Sequence, residues 1–326
     1  MKSKTVKKRV VGVDISFEKT VCAVVDVRGN VLASDSFPTC DYPEIDNYVA
    51  TLSERILQLV ERGGGYESIR SVGISAPSGN ALTGSIMNSP NFPWKGVIPL
   101  AALLRDRLGL AVALCNEAHS NALGEYIYGN AHGMRNFVVI TLGNGVGSCI
   151  YSNGNVHLGN DGFAGEVGHT CIVPGGRQCG CGNKGCFEAY TAVKGIVQTA
   201  KEVMAERTEA SLMRTADKLS PRIITEFCNQ GDQLAIEVYR RTGEILGLGL
   251  ANYASIFNPE AIILTGGVSN AGDWLYEPAC KAFEQYIFPN MRGKVELLVS
   301  DLDNHERVFL GASALAWTVK EYSLFK

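Results

Sequence analysis

Apolar residues along this chain follow two rhythms, and the places where the rhythm changes mark the elements. Residues 9–15 (RVVGVDI), 21–27 (VCAVVDV) and 31–37 (VLASDSF) are β-rich runs, and Gly29-Asn30 supplies a hairpin turn between the last two. From 44 to 63 the apolar positions Ile45, Tyr48, Val49, Leu52, Ile56, Leu57 and Val60 form a helical stripe, which Gly63-Gly64-Gly65 ends. A strand over 70–76 stops at Pro77, and a helix over 98–109 and a strand over 111–115 follow. Asn116 leads into a helix through Gly124-Glu125. Residues 136–142 and 147–151 read as strands, with Asn153-Gly154 as another hairpin turn, so a second strand-rich unit resembles the first. The later chain turns helical, over about 191–206, 208–217, 221–229 and 232–256. Strand 261–265 runs into Gly266-Gly267, and then come a helix, a strand over 294–299 and a last helix from Gly311.

Composition narrows the class. At 326 residues the chain exceeds one ordinary core, so two domains are expected. It is 46% hydrophobic and 19% charged with net charge −3, a balance that offers nothing to a nucleic-acid backbone or an anionic membrane. No apolar run approaches the roughly 20 residues of a membrane span. The basic start, MKSKTVKKR, is not followed by a signal-peptide cleavage pattern and reads as a short solvated tail. Ten cysteines in such a chain favour reduced thiols and metal binding over a disulfide framework, and a cytoplasmic location.

The densest chemistry lies between Gly165 and Glu188, GEVGHTCIVPGGRQCGCGNKGCFE. Cys179, Cys181 and Cys186, spaced by Gly180, Gly182 and Gly185, make a knuckle whose sulfurs can converge, and His169 supplies a fourth ligand. Such a Cys3His set is the closed, structural kind of zinc site, and thiolate with imidazole favours zinc over magnesium or calcium. The alternative is a glycine-rich loop carrying buried free thiols. A structural zinc has no use for Glu166 or Glu188, so their placement beside it suggests a polar ligand braced by the metal.

G-E-x-G-H followed by C-x-C-G-x2-G-C-x-E resembles the signature of the ROK family of bacterial sugar kinases and sugar-responsive repressors. Matches extend over about 10–316. The resemblance implies an α/β, two-domain, actin-like ATPase (ribonuclease H-like) fold, with the zinc knuckle beside a sugar cleft between the domains. The N-terminal domain would be 1–116 plus 306–326 and the C-terminal domain 117–305. It also implies that Glu166, His169 and Glu188 hold hydroxyls of a hexose, with His169 also on the zinc. Residues 88–94, NSPNFPW, match the P-N-x-x-W segment bordering the cleft and add Asn91.

Three turns would grip ATP. ILTGGVSNAG places Gly266 and Gly267 on the adenosine side, and Leu142-Gly143-Asn144-Gly145-Val146-Gly147 has asparagine where the kinases usually have threonine. The first turn departs further: where the kinases read D-x-G-G-T, this chain reads Asp14-Ile15-Ser16-Phe17-Glu18. Asp14 would orient magnesium or its waters. A carboxylate at the Glu18 position would repel triphosphate by about 4 kcal/mol at ~4 Å and an effective dielectric of about 20, before screening.

Sugar phosphorylation needs a carboxylate to take the proton of the attacking hydroxyl. The family's N-D-A segment corresponds to Asn116-Glu117-Ala118, so Asn116 would fix a sugar hydroxyl and Glu117 would be the base. Glutamate is competent by pKa, about 4.3 against about 3.9 for aspartate. Its extra methylene moves the carboxylate by roughly 1.5 Å, and a misplacement of about 1 Å can cost about 100-fold in rate. Glu117 also reads as an acid in a first helical turn, favoured by the helix dipole. The resemblance therefore implies an ATP-dependent hexose kinase with structural zinc, ATP and magnesium, acting as a homo-oligomer (dimer or tetramer). The eroded first turn keeps a second reading open, a sugar-binding relative with weak or no turnover. A repressor would need a winged helix-turn-helix ahead of the first strand, and only about eight residues precede it.

Overall fold

The computed structural model describes residues 7–89, 92–302 and 304–319. Asn91 and most of the basic start lie outside the described residues. The chain divides into two compact units, Met1–Gly133 with Leu158–Phe163 and Asp301–Lys326, and Met134–His157 with Ala164–Ser300.

The first unit begins with β1 (Arg9–Ile15), β2 (Lys19–Asp26), β3 (Val31–Pro38), α1 (Ile45–Arg62) and β4 (Ile69–Ser75). Three short strands follow, β5 (Gly79–Asn80), β6 (Ser85–Met87) and β7 (Val97–Ile98), which pair as a small sheet that no apolar pattern announced. Next come α2 (Leu100–Leu108), β8 (Ala111–Cys115) and α3 (Glu117–Tyr128). The main sheet has the order β3-β2-β1-β4-β8, antiparallel at β3/β2 and β2/β1 and parallel at β1/β4 and β4/β8. The α1 stripe buries Tyr48, Val49, Leu52, Ile56 and Val60, while Leu57 stays exposed.

The second unit holds β9 (Phe137–Leu142), β10 (Val146–Ser152), β11 (Asn155–Val156), α4 (Glu188–Thr191), α5 (Val193–Glu206), α6 (Pro221–Asn229), α7 (Gln233–Phe257), β12 (Ala261–Thr265), α8 (Asp273–Tyr286) and β13 (Glu296–Val299). Its sheet, β11-β10-β9-β12-β13, repeats the first sheet's order and strand directions. This is the ribonuclease H-like, actin-like arrangement, present twice. α7 and α8 pack closely through glycine, since a Cβ on Gly247 would lie 2.2 Å from the Ala279 carbonyl oxygen.

Helix α9 (Asn304–Thr318) belongs to the first unit and lies on its sheet. A Cβ on Gly12 would meet the Phe309 carbonyl oxygen at 2.4 Å, and one on Gly73 would meet that of Ala312 at 2.0 Å, so only glycine in β1 and β4 admits the helix. α3 joins α9 in the same way, because a Cβ on Gly311 would sit 2.5 Å from the Ser120 carbonyl oxygen. The division of the chain accordingly falls after α3, at Gly133, whereas the sequence reading put the hinge near 116.

Other expectations shift. The helix expected over 191–206 is interrupted at Ala192, whose ψ of 170° is extended. The helix expected over 208–217 shrinks to a single 3-10 turn, Leu212–Arg214. Asp232 causes this: one carboxylate oxygen caps α7 at Leu234 and Ala235, and the other accepts from Ser211 Oγ and Leu212 N. The last helix starts at Asn304, not Gly311.

Candidate functional site

The first unit's cluster grows from strand ends. Asp14 on β1 stands opposite Ser75 on β4, which stands opposite Cys115 on β8. Asn116 and Glu117 come next in the chain and open α3, so the acids gather at the carboxyl edge of the parallel strands, where open α/β sheets place ligands. Burial pushes the Asp14 carboxyl up to about 7; the Glu117 charge adds to the rise and a Ser75 hydrogen bond opposes it. Glu117 is exposed where it opens α3, yet the protein packed around its carboxylate still raises it by partial desolvation. Two acids that resist ionising together suit a cation or a proton in transit. Asn116 Oδ1 accepts the His119 N–H at 2.8 Å and caps α3, so the donor that its side chain can offer a ligand is the amide NH2. In the NSPNFPW segment Phe92 and Trp94 are buried and stacked, with ring centroids 4.8 Å apart.

The first turn, between β1 and β2, closes without any left-handed residue. Ser16 N donates to Lys19 O at 3.0 Å, while Ser16 Oγ accepts from Lys19 N at 3.1 Å and donates to the Lys19 carbonyl at 2.9 Å. Phe17 and Glu18 stand exposed at its tip. The glycines are therefore not needed to make the hairpin. What their loss changes is what the tip presents.

The second unit brings its predicted residues together more tightly. His169, Cys179, Cys181 and Cys186 offer ligand atoms that all lie within 4.8 Å of one another. His169 Nδ1 is 3.7 Å from Cys179 Sγ, and Cys181 Sγ is 3.7 Å from Cys186 Sγ. Tetrahedral zinc, with bonds of about 2.0–2.3 Å, requires ligand separations of this size, so the donor set fits the metal. Because Nδ1 faces the sulfurs, Nε2 of the same ring is left to a second partner.

Glu188 links this knuckle to the second glycine turn. Its Oε2 accepts the Val146 N–H at 2.8 Å, and its Oε1 lies 3.8 Å from Cys179 Sγ. A Cβ on Gly145 would come within 2.7 Å of Oε2, so glycine there lets the carboxylate dock. At Gly143 the space is open, with nothing nearer than 3.9 Å, and its carbonyl accepts the Val193 N–H at 2.9 Å. Asn144, at the exposed tip, lines a cavity of about 430 Å³ with Cys179, Glu188 and Lys194. Glu166 is exposed and precedes the 3-10 turn Val167–His169 that delivers the histidine. Gly266, at φ 94°, lies against the end of β9, where a Cβ would be 2.4 Å from the Leu142 carbonyl oxygen. Gly267 faces open space, and Gly147 sits inside β10 opposite Thr141.

Several contributors escaped the sequence reading. Arg177 anchors the knuckle: it donates to the carbonyls of Ala189 and Gly195 and to Thr199 Oγ1, pairs with Glu202, and lies 4.5 Å over the Tyr190 ring. Ser75 was detectable only as the last polar residue of a strand. Arg222, Thr225 and Glu226 on α6 line a cavity of about 300 Å³ with Gly267 and Asn270, and no spacing signal ties α6 to that turn.

Comparison with known proteins gives the chain its relatives. The sequence profile of the ROK family matches residues 10–319. A glucokinase from Streptomyces coelicolor is 34% identical over 314 residues, covering 94% of this chain and 96% of that protein. The crystal structure of a ROK family glucokinase from Streptomyces griseus in complex with glucose and AMPPNP superposes with a TM-score of 0.76 at 32% identity, covering 95% of this chain and 99% of that one. A ROK family transcriptional regulator, described as a homologue of the E. coli MLC protein, superposes with a TM-score of 0.83 at 26% identity, covering 95% and 78%. By profile, identity and fold, the chain belongs to the ROK family.

Proposed function

We propose that this chain is an ATP-dependent hexose kinase that transfers the γ-phosphoryl group of ATP to a sugar hydroxyl. The observation that carries the reading is Glu188, held between the Cys3His knuckle and a glycine turn open at Gly143. A family relative called a glucokinase, alike over nearly all of both chains, supports the same activity.

In this reading Glu166, His169 through Nε2, Glu188, Asn116 and Asn91 hold the hexose hydroxyls. Glu117 accepts the proton of the attacking hydroxyl, and partial desolvation of its carboxylate moves it upward, the direction that suits a base. Asp14 orients magnesium, whose charge would hold its carboxyl ionised. The phosphates rest on the turn from Gly143 through Asn144 and Gly145 to Gly147, where backbone N–H groups can approach closely. Gly266 and Gly267, with Thr225 across the 300 Å³ cavity, take the nucleoside. Zinc on His169, Cys179, Cys181 and Cys186 would supply rigidity, fixing the His169 ring and the sulfur beside Glu188. A homo-oligomer, dimer or tetramer, is part of this reading.

The first turn favours one alternative, a sugar-binding relative with little turnover, because Glu18 stands exposed where the kinases have threonine. Product mass decides between them. With ATP and a panel of glucose, mannose, fructose, N-acetylglucosamine and N-acetylmannosamine, one sugar gains a phosphoryl group. Glu117→Gln lowers that rate by about 10²–10⁴-fold while calorimetry shows the sugar still bound. Binding without turnover in the unmodified protein would establish the alternative.

A further inference from the structure

The Cys3His knuckle has a fourth cysteine beside it. Cys171 is exposed and forms an isolated antiparallel bridge with Cys186. The flanking hydrogen bonds, Ile172 N to Gly185 O at 2.8 Å and Phe187 N to Thr170 O at 2.9 Å, make the two cysteines a non-hydrogen-bonded pair. Directly opposed residues at such a site have Cα atoms about 4.5 Å apart and side chains on one face, inside the disulfide range of about 4.4–6.8 Å. Cys171 Sγ already leans toward the other strand, 3.3 Å from where a Cβ on Gly185 would be. Cys171 is not among the four residues whose ligand atoms converge, so metal binding gives it no function.

We propose that Cys171 and Cys186 form an oxidative modification site, at which peroxide closes a cross-strand disulfide and withdraws Cys186 from the metal. This rests on the reading of Cys186 as a zinc ligand. The exposed Cys171 thiolate attacks hydrogen peroxide, giving the sulfenic acid and hydroxide. The Cys186 thiolate then attacks Cys171 Sγ and expels a second hydroxide as the S–S bond forms. In sum, two thiols and one peroxide give one disulfide and two waters. The metal keeps His169, Cys179 and Cys181 only, and a closed structural site that loses one of four ligands loses its hold. Release of the metal frees the His169 ring and the sulfur beside Glu188, so sugar affinity falls with it.

The test treats the full-length protein with hydrogen peroxide and follows three readouts: a peptide map for the cross-link, zinc captured by a chromogenic chelator, and sugar binding by calorimetry. A Cys171–Cys186 peptide appears together with zinc release, and dithiothreitol with added zinc reverses both. Cys171→Ser, reduced, keeps its zinc and sugar affinity, but peroxide no longer yields that cross-link and zinc release is lost. A map showing only Cys181–Cys186 or Cys179–Cys181 cross-links, or release unchanged in Cys171→Ser, overturns the proposal. Reduced protein that holds no zinc would instead overturn the metal reading, and the map would still decide whether Cys171 and Cys186 join. None of these readouts depends on phosphoryl transfer.

Discussion

Asp14 is held where its ionised form is disfavoured, and this gives the metal-free protein one pH-dependent contribution to its stability. Below about pH 3.9, the ordinary aspartate value, the group is neutral folded or unfolded and contributes nothing. Between there and about 7 the folded state keeps a proton that the unfolded chain releases, so stability falls as pH rises and then levels off. Asp14→Asn should leave the melting temperature unchanged at low pH and stabilise the protein by about 2 kcal/mol at pH ~8, a figure reduced for the residue's partial exposure. Equal gains at both pH values would show that charge burial is not the cause. Gly145 permits a second test. Alanine there pushes against Glu188 Oε2 and breaks its bond to Val146, so hexose binding by calorimetry should weaken about tenfold. Gly143→Ala, which meets no such obstacle, should leave hexose affinity alone.

At the scale of elements, the first turn shows how a hairpin can keep its shape and alter its chemistry. Ser16 closes it through its own hydroxyl, yet Phe17 and Glu18 crowd the tip with a ring and a charge. Replacing them together, Phe17→Gly with Glu18→Thr, should tighten ATP binding by about tenfold, once screening reduces the repulsion. Fluorescence titration with a labelled ATP analogue reads this directly, and unchanged affinity would mean the turn does not meet the phosphates. Most elements were legible because their patterns are local: the α1 stripe and the β1 to β3 runs each lie in one short stretch, whereas the cap that Asn116 makes on α3 was not read. The lost helix at 208–217 was not legible, because Asp232 intervenes from twenty residues downstream. Nor was the start of α9, whose polar first turn carries no stripe.

For the whole molecule, the repeated sheet order was hinted at by the similarity of two strand-rich runs and is plain once the pairings are seen. The knuckle was legible because its ligands, apart from His169, fall within eight residues. Glu188 was half legible: its place beside the metal could be read, but not its bond to Val146, a residue 42 positions earlier. That bond has a thermodynamic corollary. A single carboxylate touching both a metal ligand and the turn assigned to phosphate makes the two occupancies interdependent, and interdependence of binding is symmetrical. If zinc strengthens the grip on nucleotide by some factor, nucleotide must strengthen the grip on zinc by the same factor. Competition with a calibrated chelator, with and without a non-hydrolysable ATP analogue, should return one common factor from both directions, and Gly145→Ala should bring it to unity. The protein would then retain its zinc most firmly while its substrate is present, and surrender it most readily when starved.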